Sequence, residues 1–431
     1  MGKLFGTDGV RDRANQGNMT VEVAMKIGRA VATHFKDQAA ADAWPAIVIG
    51  RDPRLSGAMI ESALAAGVCS AGVDAHLLGV VPTPAVAIIA ARTGAVAGLV
   101  VSASHNPYFD NGIKVFKGDG FKLSDEEEAA VERLYFAEAA VPPLDDAVGA
   151  VFQLGNAGQV YTEFCVDALE AEEPLKGLKL VLDCSNGATS EVAESIFETL
   201  GADVAVIHDQ PDGVNINDAC GSQHTDDLRR KVKKLHADAG LAFDGDGDRL
   251  IAVDESGAEL TGDQIMAICA KAYKESGELE NNRVVATVMS NVGFHAAMKK
   301  LGVEVDTAGV GDRLVLERMR QNGAVLGGED SGHMIFLDRH TTGDGIVSAL
   351  ILMDTLNKSG SKLSELAKIM TPFPQELINV DVKAKPAIAD VPTIADAVTA
   401  AEKELGEEGR VLIRYSGTQP MCRVMVEGPT A

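Results

Sequence analysis

Three aspartates stand at alternate positions in "LAFDGDGDRLIAVDESG": Asp244, Asp246 and Asp248. In an extended or tightly turned backbone, alternate side chains face one side, so the three carboxylates converge. Converging anions repel unless a hard cation neutralises them, and an all-oxygen donor set suits Mg2+ or Ca2+. Gly245 and Gly247 let the chain curl around such an ion. Glu255 falls twelfth counting from Asp244, as in an EF-hand, but the sixth position is Arg249 where that loop needs glycine. "LIAVDESG" also reads as a strand where an EF-hand needs an exit helix. A catalytic Mg2+ site fits the pattern, with Arg249 ready to hold a phosphate oxygen beside the metal.

A second polar cluster ends the buried run in "LVVSASHNPYFDNGIKVF", where Ser102, Ser104, His105 and Asn106 precede Pro107. A serine beside a histidine invites a hydrolase reading, but there is no G-x-S-x-G elbow. Adjacent side chains on an extended chain face opposite ways, so His105 is expected to be badly placed as a base for Ser104. Hydroxyls and Asn106 capping a turn is the plainer alternative. A serine can also carry a phosphoryl group, and a phosphoserine with three aspartates would complete an oxygen cage for Mg2+.

Elements able to position these groups recur along the chain. "AIVIG" (46–50), "LKLVLDC" (178–184) and "RVVATVM" (283–289) are apolar strands, each followed by a polar turn, a helix of 3.6-residue apolar spacing and another strand. Parallel strands covered by helices on both faces give this signature, and right-handed crossovers bring the turns to one edge of each sheet. The expected domains are three similar α/β sandwich units with mixed or parallel sheets at 1–150, 151–255 and 256–370 and a small C-terminal α+β unit at 371–431. "FAEAAVPPLDDAVGA" reads as the first linker, and the prolines of "MTPFPQ" mark the third boundary. "AGVGDRLVL" misses the dinucleotide-binding fingerprint, because Leu314 stands where its third glycine belongs.

At 431 residues and 46% hydrophobic content, the chain can bury several cores. The formal net charge of −24 argues against nucleic acid or an anionic membrane as partner, yet leaves room for an anionic small molecule held by local arginines. Six cysteines without a C-x-x-C pair read as buried free thiols, which suits a reducing compartment. The first residues lack the apolar region of a signal peptide, and no apolar run reaches the roughly 18 residues of a membrane helix. A cytoplasmic protein is expected.

The motifs "SASHNP", "NGIK", "DGDGDR", "GEDSGH" and "RYSGTQP", in that order over nearly the whole chain, resemble those of the α-D-phosphohexomutases. "FGTDGVR" and "DGVNINDACGSQH" look most like the branch acting on glucosamine phosphates. The resemblance implies four domains in a heart shape around a central cleft. It also implies a reversible mutase converting glucosamine 6-phosphate to glucosamine 1-phosphate through a sugar bisphosphate, which supplies amino-sugar and cell-wall precursors. Mannose or glucose phosphates remain the alternative substrates within the family, and an aspartyl-phosphate phosphatase the alternative chemistry.

Roles follow from the same resemblance. Ser104 is the phosphorylated serine, with Ser102, His105 and Asn106 supporting its loop. Asp244, Asp246 and Asp248 bind Mg2+ together with the phosphoryl group on Ser104. Arg11 and Lys114 lie near the transferring phosphate, Lys114 acting as a base only where its pKa is lowered. Arg249 and His333 approach the reacting end. Glu329 and Ser331 hold sugar hydroxyls, with Asp312 and Arg313 near the substrate. Arg414, Ser416, Gly417 and Thr418 form a nest for the phosphate that is not reacting. The active form needs phosphorylated Ser104, with a sugar 1,6-bisphosphate as activator, and a monomer or homodimer is expected. Two departures stand out: Gln419 replaces the family's usual glutamate, and the family usually continues into a further helix beyond "VMVEGPTA", so the fourth domain is expected to be shortened.

Overall fold

Each apolar run between Gly- and Pro-bearing turns becomes a strand, and each 3.6-spaced segment after it becomes a covering helix. The computed structural model describes the chain except residues 1–3, 7, 41–43, 138–147, 407–408, 416–420 and 429–431. The segment expected as the first linker therefore lies mostly outside the described residues.

Strands β1 (Val10–Arg13), β2 (Ala46–Arg51), β3 (Asp74–Val80), β4 (Ala97–Val101), β5 (Asp110–Lys117) and β6 (Val151–Gln153) form a six-stranded sheet in the order β1-β5-β4-β2-β3-β6. Its centre is parallel, while β5 runs antiparallel to both β4 and β1. Strands β7 (Lys179–Asp183), β8 (Asp203–Ile207), β9 (Ala239–Phe243), β10 (Leu250–Asp254) and β11 (Glu259–Leu260) form the second sheet, ordered β11-β10-β9-β7-β8. Here too the β8-β7-β9 centre is parallel, and the β10–β11 side is antiparallel. The third sheet, β13-β12-β14-β15, comprises β12 (Arg283–Thr287), β13 (Glu304–Ala308), β14 (Leu326–Gly328) and β15 (Met334–Phe336). The tail folds as three antiparallel strands, β16 (Gln375–Asp381), β17 (Arg410–Tyr415) and β18 (Met421–Glu427), with the helix Pro392–Leu405.

The three expected strand–helix–strand repeats are therefore present, and each closes with parallel pairing: β2–β3, β7–β8 and β12–β13. β6 hydrogen-bonds to β3 and β11 to β10, so the first two sheets run a few residues past positions 150 and 255.

One hydrophobic cluster passes from Val48, Val86 and Phe116 through Leu180, Leu241 and Phe243 to Ile265, Val284 and Leu350. Fully burying each such side chain stabilises the fold by roughly 1.5–3 kcal/mol. This shared core ties the three larger units together. The carboxyl ends of β2, β4, β7 and β9, where open α/β sheets keep their ligands, consequently meet. Among the described residues, no helix is long and apolar enough to cross a membrane, and all six cysteines are free and buried.

Candidate active site

β4 is buried along its whole length, and its continuous apolar pattern leaves nowhere for polar residues except the turn beyond its carboxyl end. Ser104 sits in that turn with φ +53° and is fully buried. β9 is equally buried and delivers Asp244 from the neighbouring sheet. The two meet: the Ser104 hydroxyl donates to Asp244 Oδ2 at 2.6 Å, between residues 140 positions apart.

Asp244, Asp246 and Asp248 are all buried, with carboxylate oxygens within 4.8 Å of one another. Asp246 Oδ1 and Asp248 Oδ1 are buried without hydrogen-bond partners. An all-oxygen cluster with two orphaned acceptors fits a hard divalent cation. Asp246 is further fixed from the first unit, where Thr83, at the start of the helix Thr83–Thr93, donates its backbone N–H to Asp246 O (2.8 Å) and its hydroxyl to Asp246 Oδ2 (2.5 Å).

Lys114, on β5, donates to Asp246 Oδ2 (2.8 Å) and Asp248 Oδ2 (2.9 Å) and lies 3.3 Å from Asp8. Burial disfavours its charge, but Asp246, Asp248 and Asp8 outweigh burial and hold the ammonium well above its ordinary pKa. The condition for a base, a lowered pKa, is the opposite of what this arrangement creates. Burial also pushes Asp244 up, helped by repulsion from Asp248 and Asp246. Asp248 goes the other way, because Lys114 and His333 overcome its burial.

His105 departs from expectation. Its Nδ1 lies 3.2 Å from Ser104 Oγ, so the two neighbours converge where an extended chain would separate them. The cause is the left-handed backbone of Ser104, which abolishes the period-2 alternation assumed for it. Burial, with the nearby charges of Arg249 and Arg11, lowers the His105 pKa to about 4, leaving a neutral imidazole at pH 7.

Arg11, on β1, pairs with Asp8 at 2.6 Å. Lys122 bridges Asp8 (2.6 Å) and Asp312. His333 stands between Asp248 and Asp312 at 3.6 Å from each, and these carboxylates raise its pKa against the effect of burial. Arg249 donates its backbone N–H to Asp244 Oδ1 (3.2 Å), while its Nε is buried without an acceptor, a donor left available to an anion. Glu329 accepts the Gly311 N–H at 3.0 Å, and Ser331 is half-buried in the same turn after β14. Arg313 turns to the helix Asp125–Phe136, reaching Asp125 (2.6 Å) and Glu128 (3.2 Å). Arg414, at the end of β17, is close enough to Glu329 and Arg423 to feel both charges. Ser416, Gly417, Thr418 and Gln419 lie outside the described residues.

Sequence reasoning overlooked Asp8, Asp52, Arg54, Thr83, Lys122 and Asn217. Asp52 and Arg54 carried a usable signal, since "RDPR" ends buried strand β2 as "SASH" ends β4. Asp8 lies inside the quoted "FGTDGVR". Asn217 likewise lies inside the quoted "DGVNINDACGSQH", whereas Thr83 and Lys122 declare themselves only through contacts across more than a hundred residues.

This arrangement brings a buried hydroxyl, a carboxylate cage and several cations to one cleft, the parts that phosphoryl transfer requires. Models of the phosphoglucomutase/phosphomannomutase family match the chain in four parts: alpha/beta/alpha domain I over residues 2–141, domain II over 159–257, domain III over 261–373 and the C-terminal domain over 377–431. A phosphoglucosamine mutase from Syntrophus aciditrophicus is 53% identical, covering 100% of this chain and 96% of the relative. Among solved structures, a phosphoglucomutase/phosphomannomutase family protein from Burkholderia thailandensis superposes with a TM-score of 0.83 at 26% identity, over 99% of this chain and 93% of that one. An N-acetylphosphoglucosamine mutase from Aspergillus fumigatus, in complex with GlcNAc-6P and magnesium, shares the fold at a TM-score of 0.69 and 17% identity, over 99% and 92% of the two chains. With its four matched domains, its full-length relatives and its converging serine and aspartates, the chain belongs to the phosphoglucomutase/phosphomannomutase family.

Proposed function

We propose that this chain interconverts glucosamine 6-phosphate and glucosamine 1-phosphate, with Ser104 as the phosphoryl carrier. The observation that carries the reading is the 2.6 Å contact between Ser104 Oγ and Asp244 Oδ2. It joins a nucleophile-bearing turn to a carboxylate cage. The name borne by relatives 53% identical over the full chain supports the choice of an amino sugar.

In the first half-reaction, the bond between phosphorus and Ser104 Oγ breaks and a bond from a sugar hydroxyl oxygen to phosphorus forms. The hydroxyl proton is released and Ser104 Oγ regains one, leaving a sugar bisphosphate. After the bisphosphate turns over in the cleft, its other phosphoryl group moves to Ser104 by the reverse exchange. Asp244, Asp246 and Asp248, with the phosphoryl group on Ser104, would hold Mg2+. When bound, Mg2+ neutralises charge on the transferring group and on the serine oxygen that leaves it. Arg249 and Arg11 bind phosphoryl oxygens, and the Lys114 ammonium steadies the carboxylates that face them. Glu329 and Ser331 bind sugar hydroxyls in either orientation, while Arg414 and residues 416–418 hold the distant phosphate.

Turnover of glucosamine, glucose and mannose phosphates, compared on one preparation, tests the substrate. Preference for either of the latter two would overturn the amino-sugar assignment. Ser104→Ala must abolish turnover and remove the extra phosphoryl mass. Loss of that mass in hydroxylamine would point to an aspartyl phosphate.

A further inference from the structure

The turn that carries Ser104 is gripped from two domains through the same pair of atoms. From the first unit, the fully buried Arg54 guanidinium donates through Nη2 to Ser104 O and to Asn106 O, each at 2.8 Å. Its other nitrogens reach Pro107 O, Asp110 O (3.1 Å) and Asp52 Oδ2 (2.8 Å). Asp52 accepts the Ser102 hydroxyl at 2.5 Å, and that oxygen accepts the Ser104 N–H at 2.9 Å. From the second unit, Asn217 Nδ2 donates to Ser104 O at 2.9 Å and to Asn106 O at 3.0 Å. Asn217 is anchored in turn by its own N–H, which donates to Ser185 O at 2.9 Å, just beyond β7.

The metal loop completes the seat. A Cβ on Gly245, between Asp244 and Asp246, would lie 2.6 Å from Ser104 O and 2.8 Å from Asn217 Nδ2. Backbone therefore packs directly on the gripped carbonyl. Within the second unit's "DGVNINDACGSQH" segment, Asn217 donates to these carbonyls through its side-chain amide.

We propose that Asn217 is a positioning residue. Working against Arg54, it sets the register of the phosphoryl-carrier turn against the carboxylate cage across the boundary between the first two domains. This rests on the reading of Ser104 as carrier. A non-glycine residue held at φ +53° persists only where its surroundings over-determine it, and the paired donors do so here. Positional errors near 1 Å at a reacting centre cost roughly a hundredfold in rate. Losing one of the two grips acts on the transfer step and leaves sugar binding alone.

The test uses Asn217→Gly and Asn217→Asp on the full chain. Asn217 itself sits at φ +59°, which glycine adopts without strain, so the first variant removes the donors and spares the backbone. The second keeps the size of the side chain and turns an acceptor towards two carbonyls. Both are expected to lower kcat by about a hundredfold with KM changed by less than about twofold. Both should also slow the uptake of a phosphoryl group by Ser104 from a hexose 1,6-bisphosphate, followed by intact mass, while the protein stays folded at the assay temperature. If both variants keep the parent kcat, or lose activity only in proportion to unfolded protein, the proposal is wrong. Ser104→Ala in the same assay separates the two claims. If it turns over like the parent, the carrier reading fails. If it is inactive while both Asn217 variants match the parent, the positioning role alone fails.

Discussion

Lys114 Nζ stands 2.8 Å from Asp246 Oδ2, so an ammonium from one domain is buried inside the carboxylate cage of another. Removing one partner of a buried, hydrogen-bonded pair leaves the other charge uncompensated and costs about 3–5 kcal/mol. Lys114→Met, close in shape, is expected to lower stability by about that amount in chelator, and by clearly less with Mg2+ present. Denaturant titration under the two conditions checks this, and equal losses would show that the cage does not depend on Lys114 for neutralisation.

Asp246→Asn removes one charge from the cage while keeping an acceptor for the Thr83 hydroxyl. Turnover should vanish at Mg2+ concentrations that saturate the parent, and chelation of the parent should do the same reversibly. Intact mass should still show the phosphoryl group on chelated parent protein. Undiminished turnover in chelator would remove the metal from the reaction.

Asp344, just behind the loop that carries Asp248, provides a pH signature. Its carboxylate accepts the Tyr161 hydroxyl at 2.8 and 2.9 Å and the Val347 N–H at 3.0 Å, capping the helix Gly345–Ser359. Burial pushes its pKa up to about 7. The unfolded group titrates near 3.9, so between about pH 4 and 7 the folded chain keeps a proton that the unfolded chain gives up. The stability it contributes is full below about pH 4 and is lost as pH rises through about 7. Asp344→Asn preserves the cap and the tyrosine contact, and should flatten the fall of the urea midpoint between about pH 4 and 7. Parallel curves for parent and variant would exclude Asp344 as the titrating group.

Glu427 anchors the fourth domain to the third. It is fully buried and accepts from Asn291 Nδ2 (3.1 Å), Val292 N (3.3 Å), Gln375 Nε2 (3.0 Å) and Arg410 Nε (2.6 Å). Glu427→Ala should speed proteolytic cleavage near residues 370–375 and raise KM for the sugar phosphate by about tenfold, because Arg414 is carried on the loosened unit. An unchanged KM with faster cleavage would detach Arg414 from substrate binding.

The parallel centres of the three larger sheets were legible because a buried strand, a polar turn and a helix leave a local pattern. The antiparallel strands β5, β10 and β15 were not, since their apolar runs look alike whether the chain returns beside the same strand or crosses over. Asp244, Asp246 and Asp248 do converge, on a tight turn closed by Gly247 N–H to Asp244 O and not on an extended run, while alternation failed for Ser104 and His105 where one left-handed residue broke the extended geometry. Thr83 and Lys122 stayed hidden for a different reason. Neither lies in a quoted motif, and each acquires its role only when a carboxylate from more than a hundred residues away reaches it.

The separation of Ser104 from Asp244 also bears on how the protein is made. A nascent chain exposes Ser104 long before the aspartates have been synthesised, and the turn around Ser104 lacks the Asn217 grip until the second sheet has formed. Such a chain can complete its first sheet and remain chemically inert. On the proposed carrier role of Ser104, phosphorylation by the protein's own reaction must wait until translation has passed Asp248 and both sheets have docked. Loading of Ser104 in that reading is tied to the docking of both sheets, and a fragment released early holds the serine without the carboxylates that would face it.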